Sequence, residues 1–237
     1  QRVRGMFTYV IWDKNKQELF GARDHFGIKP FYYAKMNGTF MYASEIKSLL
    51  RHPDFVKELN AEALKPYMTF QYPAIGETFF KGVYKLPEGH YFTYRDGKMD
   101  IHRYYDEDFR EGKQKLGELV NSIDQTVCDS VKAHQIADVE VGSFLSSGVD
   151  SSYVAAVARP QHTYSIGFGK GTYNESQQAG ELAELLKLNN TAESLTDEEA
   201  FAAFPRIQWD LDEPDSNPSC VPLYFLSALA AKDVKVV

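Results

Sequence analysis

Residues 139–158 set the tightest limit on what this chain can fold into. The run Val139-Glu-Val-Gly-Ser-Phe-Leu145 is apolar enough for a buried strand. It passes into Ser146-Ser-Gly-Val-Asp-Ser-Ser152, and an alanine-rich segment, Tyr153-Val-Ala-Ala-Val-Ala158, follows at once. That order predicts a strand, a tight turn and a helix start. Backbone N–H groups in such a turn, backed by the positive end of the helix, make a pocket for phosphate oxygens. Asp150 stands where it could hold a divalent cation against those oxygens. The plainer alternative is an ordinary strand–turn–helix capped by serine.

The sequence around this segment divides near residue 110. Before it, short alternating aromatic segments predict strands at Met6–Trp12, Glu18–Ala22, Phe31–Ala34 and Thr39–Tyr42. Asn37-Gly38 and Asp96-Gly97 are hairpin signals, the second between His90–Tyr94 and Met99–Tyr104. Short helices are expected over Ser44–Leu50 and from about Ala61 to Thr69, with Asn60 as N-cap of the second. This part reads as a largely antiparallel sheet with a few helices.

After residue 110 the period changes. Leu116, Leu119, Val120, Ile123, Val127 and Val131 recur at three- and four-residue steps, one face of a helix of about twenty residues. A strand at His162–Phe168, a helix from Ser176 to Lys187 and a short strand at 190–195 come next. Thr196-x-x-Glu199 is a capping box, and Pro205 is expected to break or kink the helix it opens. Val221–Lys232 reads as a further helix. Strands alternating with helices predict a parallel sheet covered on both faces. Ligands of such sheets sit beyond the C-terminal strand ends. The loop at 146–152 and the turn after Phe168 both lie at that edge.

Composition excludes several functions. A formal net charge of −7 with scattered Lys and Arg argues against nucleic-acid binding through a broad basic face. No apolar stretch reaches the ~18–20 residues of a membrane-spanning helix, and no secretory signal opens the chain. Cys128 and Cys220 form neither a disulfide framework nor a metal cluster, so the expected setting is cytoplasmic. Asn37, Asn174 and Asn189 begin chance glycosylation matches. The chain opens on Gln1 without an initiator Met and stops within Val234-Lys-Val-Val237, which reads as a strand just beginning. An internal stretch of a longer protein is therefore expected.

The turn lacks the glycine–lysine spacing of a Walker A loop. It resembles instead the pyrophosphate-binding SGGxDS loop of the N-type ATP pyrophosphatases, with Ser147 where that pattern has its first glycine. If the backbone there needs positive φ, serine is strained by roughly 1–2 kcal/mol. Arg4-Gly-Met-Phe7, Ala22-Arg-Asp-His-Phe-Gly-Ile-Lys-Pro-Phe-Tyr-Tyr33 and Ala43-Ser-Glu-Ile-Lys-Ser48 resemble the later half of a class II (Ntn-type) glutamine amidotransferase domain. Val141–Ser152, Tyr164-Ser-Ile-Gly-Phe168 and Leu211-Asp-Glu-Pro214 resemble the opening of an asparagine synthetase domain. The order of the two is that of the glutamine-hydrolysing asparagine synthetases.

The resemblance implies an α+β amidotransferase part at 1–108, a connecting helix at 109–138 and an α/β parallel-sheet ATP-pyrophosphatase domain at 139–237 (adenine nucleotide alpha hydrolase-like), both domains incomplete. It implies a two-step reaction with L-aspartate, L-glutamine and ATP as substrates. The aspartate side chain attacks the α-phosphate of ATP, and ammonia from glutamine then displaces AMP. Ser146, Ser147, Gly148, Ser151 and Ser152 would line the pyrophosphate, and Asp150 would hold Mg²⁺. Leu145 and Ile166 would meet the nucleoside through backbone groups, with Gly167 allowing close approach. Asp212 and Glu213 are candidates on the substrate side; the alternative is a polar helix exit stopped by Pro214.

Asn174-Glu175-Ser176 reads as a helix start and Arg23-Asp24 as a salt bridge shaping the turn before Gly27. The apolar face of the 113–136 helix is a candidate domain interface. The family's N-terminal cysteine, glutamine-binding segment, second acidic motif and catalytic lysine would lie outside residues 1–237. The stretch alone is thus expected neither to hydrolyse glutamine nor to make asparagine, and none of its residues is expected to be catalytic. Three alternatives remain: an amide synthetase such as a β-lactam synthetase relative acting on another carboxylate, a glutaminase joined to another activity, and a non-catalytic nucleotide-binding paralogue. A homodimer also stays open, since the sequence does not set the oligomeric state.

Overall fold

The structure is a computed structural model that describes residues 3–168 and 175–237, with the Glu175 side chain left out. The helix-start reading at Asn174 and the turn after Phe168 fall outside the described residues. The chain forms two compact units. One is Gln1–Arg110 with Gln208–Ser216, the other Glu111–Ile207 with Asn217–Val237.

In the first unit, β1 (Thr8–Asp13), β2 (Glu18–Arg23), β3 (Tyr32–Met36) and β4 (Thr39–Ala43) come first. Then follow α1 (Ile46–Leu49), a 3-10 turn at Ala61–Ala63, α2 (Leu64–Phe70), β5 (Val83–Lys85), β6 (His90–Arg95) and β7 (Lys98–Arg103). They form two antiparallel sheets, ordered β1-β2-β6-β7 and β4-β3-β5. Both hairpin signals fold as the sequence predicts. Asn37 and Gly38 have φ of 50° and 85°, and Asp96 and Gly97 have 50° and 75°. Positive φ at both central positions gives a turn whose twist matches the strands. Phe31, Leu86 and Phe92 centre one core cluster, with Val10, Leu19 and Phe40 packed around them. A second cluster joins Tyr32, Ala34, Met41, Ile46, Leu49 and Val83. The Asn60 side chain caps the 3-10 turn by accepting the Glu62 N–H at 3.2 Å.

The second unit runs α3 (Leu116–His134), β8 (Ser143–Phe144), α4 (Val149–Ala158), β9 (His162–Phe168), α5 (Glu175–Leu186), β10 (Asn189–Leu195), α6 (Asp197–Leu211) and α7 (Cys220–Ala230). Its sheet is parallel, in the order β10-β9-β8. Leu145, Ala155, Ala179 and Ala183 form one buried cluster. Tyr164, Leu229, Ala230 and Val234 form another. The chain is therefore a mixed α/β protein with antiparallel sheets first and a parallel sheet second.

Two local expectations change. The apolar run at 139–145 yields only two strand residues. Val141 instead makes an isolated parallel bridge with Val236. Gly142 lets the chain approach closely there, since a Cβ would sit 3.0 Å from the Tyr164 ring and 3.1 Å from Val234. The helix expected to yield at Pro205 continues to Leu211. Buried Ile207, two residues beyond the proline, anchors that continuation. On α3, Val131 is buried while Leu116, Leu119, Val120 and Ile123 are exposed. Among the described residues no helix is long and apolar enough to cross a membrane.

Candidate functional site

β9 and β10 hold the floor beneath the serine-rich turn. The Leu145 N–H donates to the Tyr164 carbonyl at 2.8 Å. The buried Ser165 hydroxyl lies 2.8 Å from the Leu145 carbonyl and 3.1 Å from Asn190 Oδ1. Its single proton serves one of them at a time. Thr163 Oγ1 reaches the same Asn190 oxygen at 3.0 Å. No spacing in the sequence marks Thr163, Ser165 or Asn190 as supports of the loop. Only the parallel register, which pairs Thr163 with Asn190, brings them together.

The turn is closed by its own hydroxyls. Ser151 Oγ accepts the Ser146 N–H at 3.2 Å and lies 2.8 Å from Ser146 Oγ. Ser146 Oγ accepts the Gly148 N–H at 3.2 Å. The Ser152 hydroxyl donates to the Gly148 carbonyl at 2.7 Å. The structure thus brings Ser146, Gly148, Ser151 and Ser152 into one small network. Ser147, Gly148 and Asp150 are exposed on its crest, while Ser146, Ser151 and Ser152 are half-buried. Ser147 is not among the residues with positive φ, so the expected strain is not there.

The turn leads directly into α4, whose N-cap is Gly148, with φ −69° and no side-chain cap. The first amides of a helix have no partner within it. Without a cap they stay available to an anion that the helix dipole also favours. A Cβ on Gly148 would lie 3.2 Å from Ser146 Oγ, which is tight against the network. α4 is held against α3 by the Tyr153 hydroxyl, which donates a short hydrogen bond to Asp124. That bond, helped by burial and the Asp124 charge, pushes the Tyr153 phenol up to about 12.

Leu145 is buried and Gly167 is buried on β9. Ile166 is half-buried and packs against the Tyr164 cluster, so its side chain is a core residue. Asp150 lies in the first turn of α4. Among the described residues no group of three or more His, Cys, Asp or Glu side chains could hold a metal. The donor set suits Mg²⁺ bound by one carboxylate and substrate phosphates, the usual arrangement at nucleotide sites, and does not suit a dedicated protein cage.

Asp212 and Glu213 belong to the first unit, and their carboxylates are taken up there. Asp212 accepts the Ile46 and Lys47 N–H groups at 2.7 and 3.2 Å and pairs with Lys47 Nζ at 2.9 Å. Glu213 accepts the Phe79 N–H at 3.3 Å and pairs with Lys85 Nζ at 2.5 Å. Sequence reasoning missed both lysines, and no local signal could link positions more than a hundred residues apart.

Arg23 and Asp24 do shape the turn before Gly27, but through backbone groups. Asp24 is 1% exposed and accepts N–H groups from Phe7, Phe26, Ile28 and Lys29. Arg23 donates to the carbonyls of Gly27, Lys29 and Leu86. Cys128 and Cys220 are not joined in a disulfide, and both are half-buried.

Comparison with known proteins gives two family matches. Residues 1–105 match the glutamine amidotransferase domain family, and residues 122–237 match asparagine synthase. Asparagine synthetase [glutamine-hydrolyzing] 1 of Bacillus subtilis is 39% identical over 99% of this chain and 38% of its own length. A putative asparagine synthetase [glutamine-hydrolyzing] of Mycobacterium bovis is 37% identical over 100% of this chain and 38% of its own length. A putative asparagine synthetase [glutamine-hydrolyzing] 2 of Methanocaldococcus jannaschii is 30% identical over 100% of this chain and 48% of its own length. The chain thus spans well under two thirds of these relatives. The two matches, in that order, and 39% identity over 99% of this chain make it similar to the glutamine-hydrolysing asparagine synthetases, with a glutamine amidotransferase part followed by an asparagine synthase part.

Proposed function

We propose that this chain serves in the ATP-dependent conversion of L-aspartate to L-asparagine with ammonia drawn from L-glutamine. The observation that carries the reading is the uncapped N-terminus of α4 beneath the turn of Ser146, Ser147, Gly148, Ser151 and Ser152. In this reading the turn holds the β- and γ-phosphates of ATP. The aspartate side-chain carboxylate forms a bond to the α-phosphorus, and the bond to the pyrophosphate oxygen breaks. Ammonia then attacks the activated carbonyl, AMP leaves with the bonding pair, and a proton is lost from nitrogen. The loop amides and hydroxyls stabilise negative charge as it builds on the departing pyrophosphate. Mg²⁺ held by Asp150 and the phosphate oxygens would add charge neutralisation there.

Leu145 and Ile166 offer backbone groups to the nucleoside, and Gly167 keeps the strand end slim. For Leu145 the N–H is already committed, so the offer is the remaining lone pair of its carbonyl. The reading assigns residues 1–108 to an Ntn-type amidotransferase part, 109–138 to a connecting helix and 139–237 to an ATP-pyrophosphatase domain. It carries with it a cytoplasmic setting and no nucleic-acid or membrane partner.

The test uses the complete protein with Mg·ATP and ammonium. Pyrophosphate is expected only when L-aspartate is present, and Asp150→Ala is expected to abolish it. Release with a different carboxylate and not with aspartate would move the function to a sister amide synthetase.

A further inference from the structure

The ladder between β8 and β9 stops one rung early. Its register pairs Ser143 with Thr163 and Phe144 with Tyr164, and the Leu145 N–H adds a bond to the Tyr164 carbonyl at 2.8 Å. The next rung of a parallel ladder would bring the Ile166 N–H to the Leu145 carbonyl. That carbonyl meets the side-chain hydroxyl of Ser165 instead, at 2.8 Å. A strand side chain stands roughly perpendicular to its sheet, so a carbonyl that meets one has turned out of the sheet plane.

Backbone groups of successive residues in a parallel strand turn alternately to its two neighbours, so Ile166 points its N–H and carbonyl to the same side as Tyr164. On that side β8 has ended at Phe144, and β10 lies on the other. Ile166 thus presents a donor and an acceptor together at the C-terminal edge of the sheet, where ligands of such sheets sit. We propose that Ser165 is a positioning residue: by holding the Leu145 carbonyl out of the ladder, it keeps the Ile166 N–H open for a ring nitrogen of the adenine base, a role that rests on the nucleotide reading of the site. Adenine carries an acceptor ring nitrogen beside its exocyclic amine, a pattern that complements one N–H and one carbonyl of a strand.

Asn190 governs how firmly Ser165 does this. Thr163 and Ser165 are 0% and 1% exposed and stand on one face of β9. Thr163 Oγ1 lies 3.0 Å from the Asn189 carbonyl and 3.0 Å from Asn190 Oδ1, and Ser165 Oγ lies 3.1 Å from that same Oδ1. Each hydroxyl has one proton for two acceptors. Half a turn of the Asn190 amide puts its NH2 group in place of the oxygen, donating to both hydroxyls and leaving each proton for a backbone carbonyl. With its nitrogen inward Asn190 therefore locks Ser165 onto Leu145, and a pure acceptor at position 190 competes for the same proton.

The experiment makes Ser165→Ala in the complete protein. Without nucleotide, the Leu145 carbonyl is expected to close on Ile166, whose amide then exchanges with solvent about tenfold more slowly. ATP affinity, read by titration, is expected to fall about tenfold. The analogues 1-deaza-ATP and 7-deaza-ATP each lack one ring acceptor. The one that lacks the acceptor met by Ile166 is expected to bind the unaltered protein about tenfold more weakly than ATP and to lose nothing further in Ser165→Ala. Ser165→Thr, which keeps the hydroxyl, is expected to restore ATP affinity. Asn190→Asp should weaken ATP binding in the same selective way, and it covers the case in which Ser165→Ala fails to fold. Unchanged exchange at Ile166, or an equal loss for ATP and both analogues, would overturn the proposal in favour of a packing role. If the complete protein binds neither ATP nor the analogues, the nucleotide reading fails, and exchange at Ile166 alone decides whether Ser165 holds the carbonyl away.

Discussion

Ser146 and Ser151 face each other across the turn with their hydroxyl oxygens 2.8 Å apart, and Ser151 also accepts the Ser146 N–H. One side chain at the start of α4 therefore sets the shape of the loop that precedes it. Ser151→Ala removes this brace without opening a large cavity. The loss should cost about 1 kcal/mol in stability. Affinity for ATP should suffer more, falling about tenfold, because loop amides need to be aligned before the phosphate arrives. Thermal unfolding and ATP titration on the same variant check this. A fall in melting temperature with unchanged affinity would show that the brace supports the fold alone.

Ser147 stands where related loops have glycine, and its backbone does not adopt positive φ. Serine is therefore at ease there. Ser147→Gly should lower stability by about 0.4–1 kcal/mol, through greater freedom of the unfolded chain. It should leave pyrophosphate release within about twofold of the unaltered protein. A large gain in release would mean that the native loop is impaired and would favour a nucleotide-binding role over catalysis.

What the sequence revealed and what it hid follow physical range. The two hairpins rest on Asn37-Gly38 and Asp96-Gly97, whose conformational preferences act within four residues. The capping box is equally local: Thr196 and Glu199 exchange hydrogen bonds at 2.9 and 3.2 Å. The serine network was visible as a motif because all its members lie between 146 and 152. Asp212 and Glu213 looked like candidates for substrate because charge near proline has no local explanation. Their lysines come from α1 and β5, and only tertiary packing reveals them. Likewise, the apolar run at 139–145 looked longer than its strand, because periodicity reports burial and not how many residues find a pairing partner.

Asp24 predicts an acid-sensitive turn. Burial alone would raise its carboxyl, but N–H donors from Lys29, Ile28, Phe26 and Phe7 outweigh that and hold it below the ordinary value of 3.8. A depressed folded pKa means the unfolded chain takes the proton more readily. The stabilisation is complete above the unfolded value and is lost as pH falls through the lower folded one. Asp24→Asn should cost about 3 kcal/mol near neutrality, since amide nitrogen cannot replace the carboxylate as acceptor. The gap in melting temperature between the two proteins should narrow below about pH 4. A gap that stays constant from pH 6 to 3 would mean that the charge of Asp24 contributes nothing.

Gly21 is the most closely covered of the described glycines. It lies opposite Phe92 in the β2–β6 pairing, and a Cβ there would fall 2.2 Å from the Phe92 ring. The ring belongs to the buried cluster with Phe31 and Leu86 and has no exposed side toward which to yield. Gly21→Ala should therefore destabilise by about 1–3 kcal/mol or more, through overpacking and not through backbone strain. Phe92→Leu alone should also destabilise, by loss of buried area. Combined, the two should cost less than their sum, because the smaller side chain frees the space that the new methyl group needs. Denaturant unfolding of the single and double variants measures that coupling. Strict additivity would show that the glycine is required by the chain's path and not by the ring.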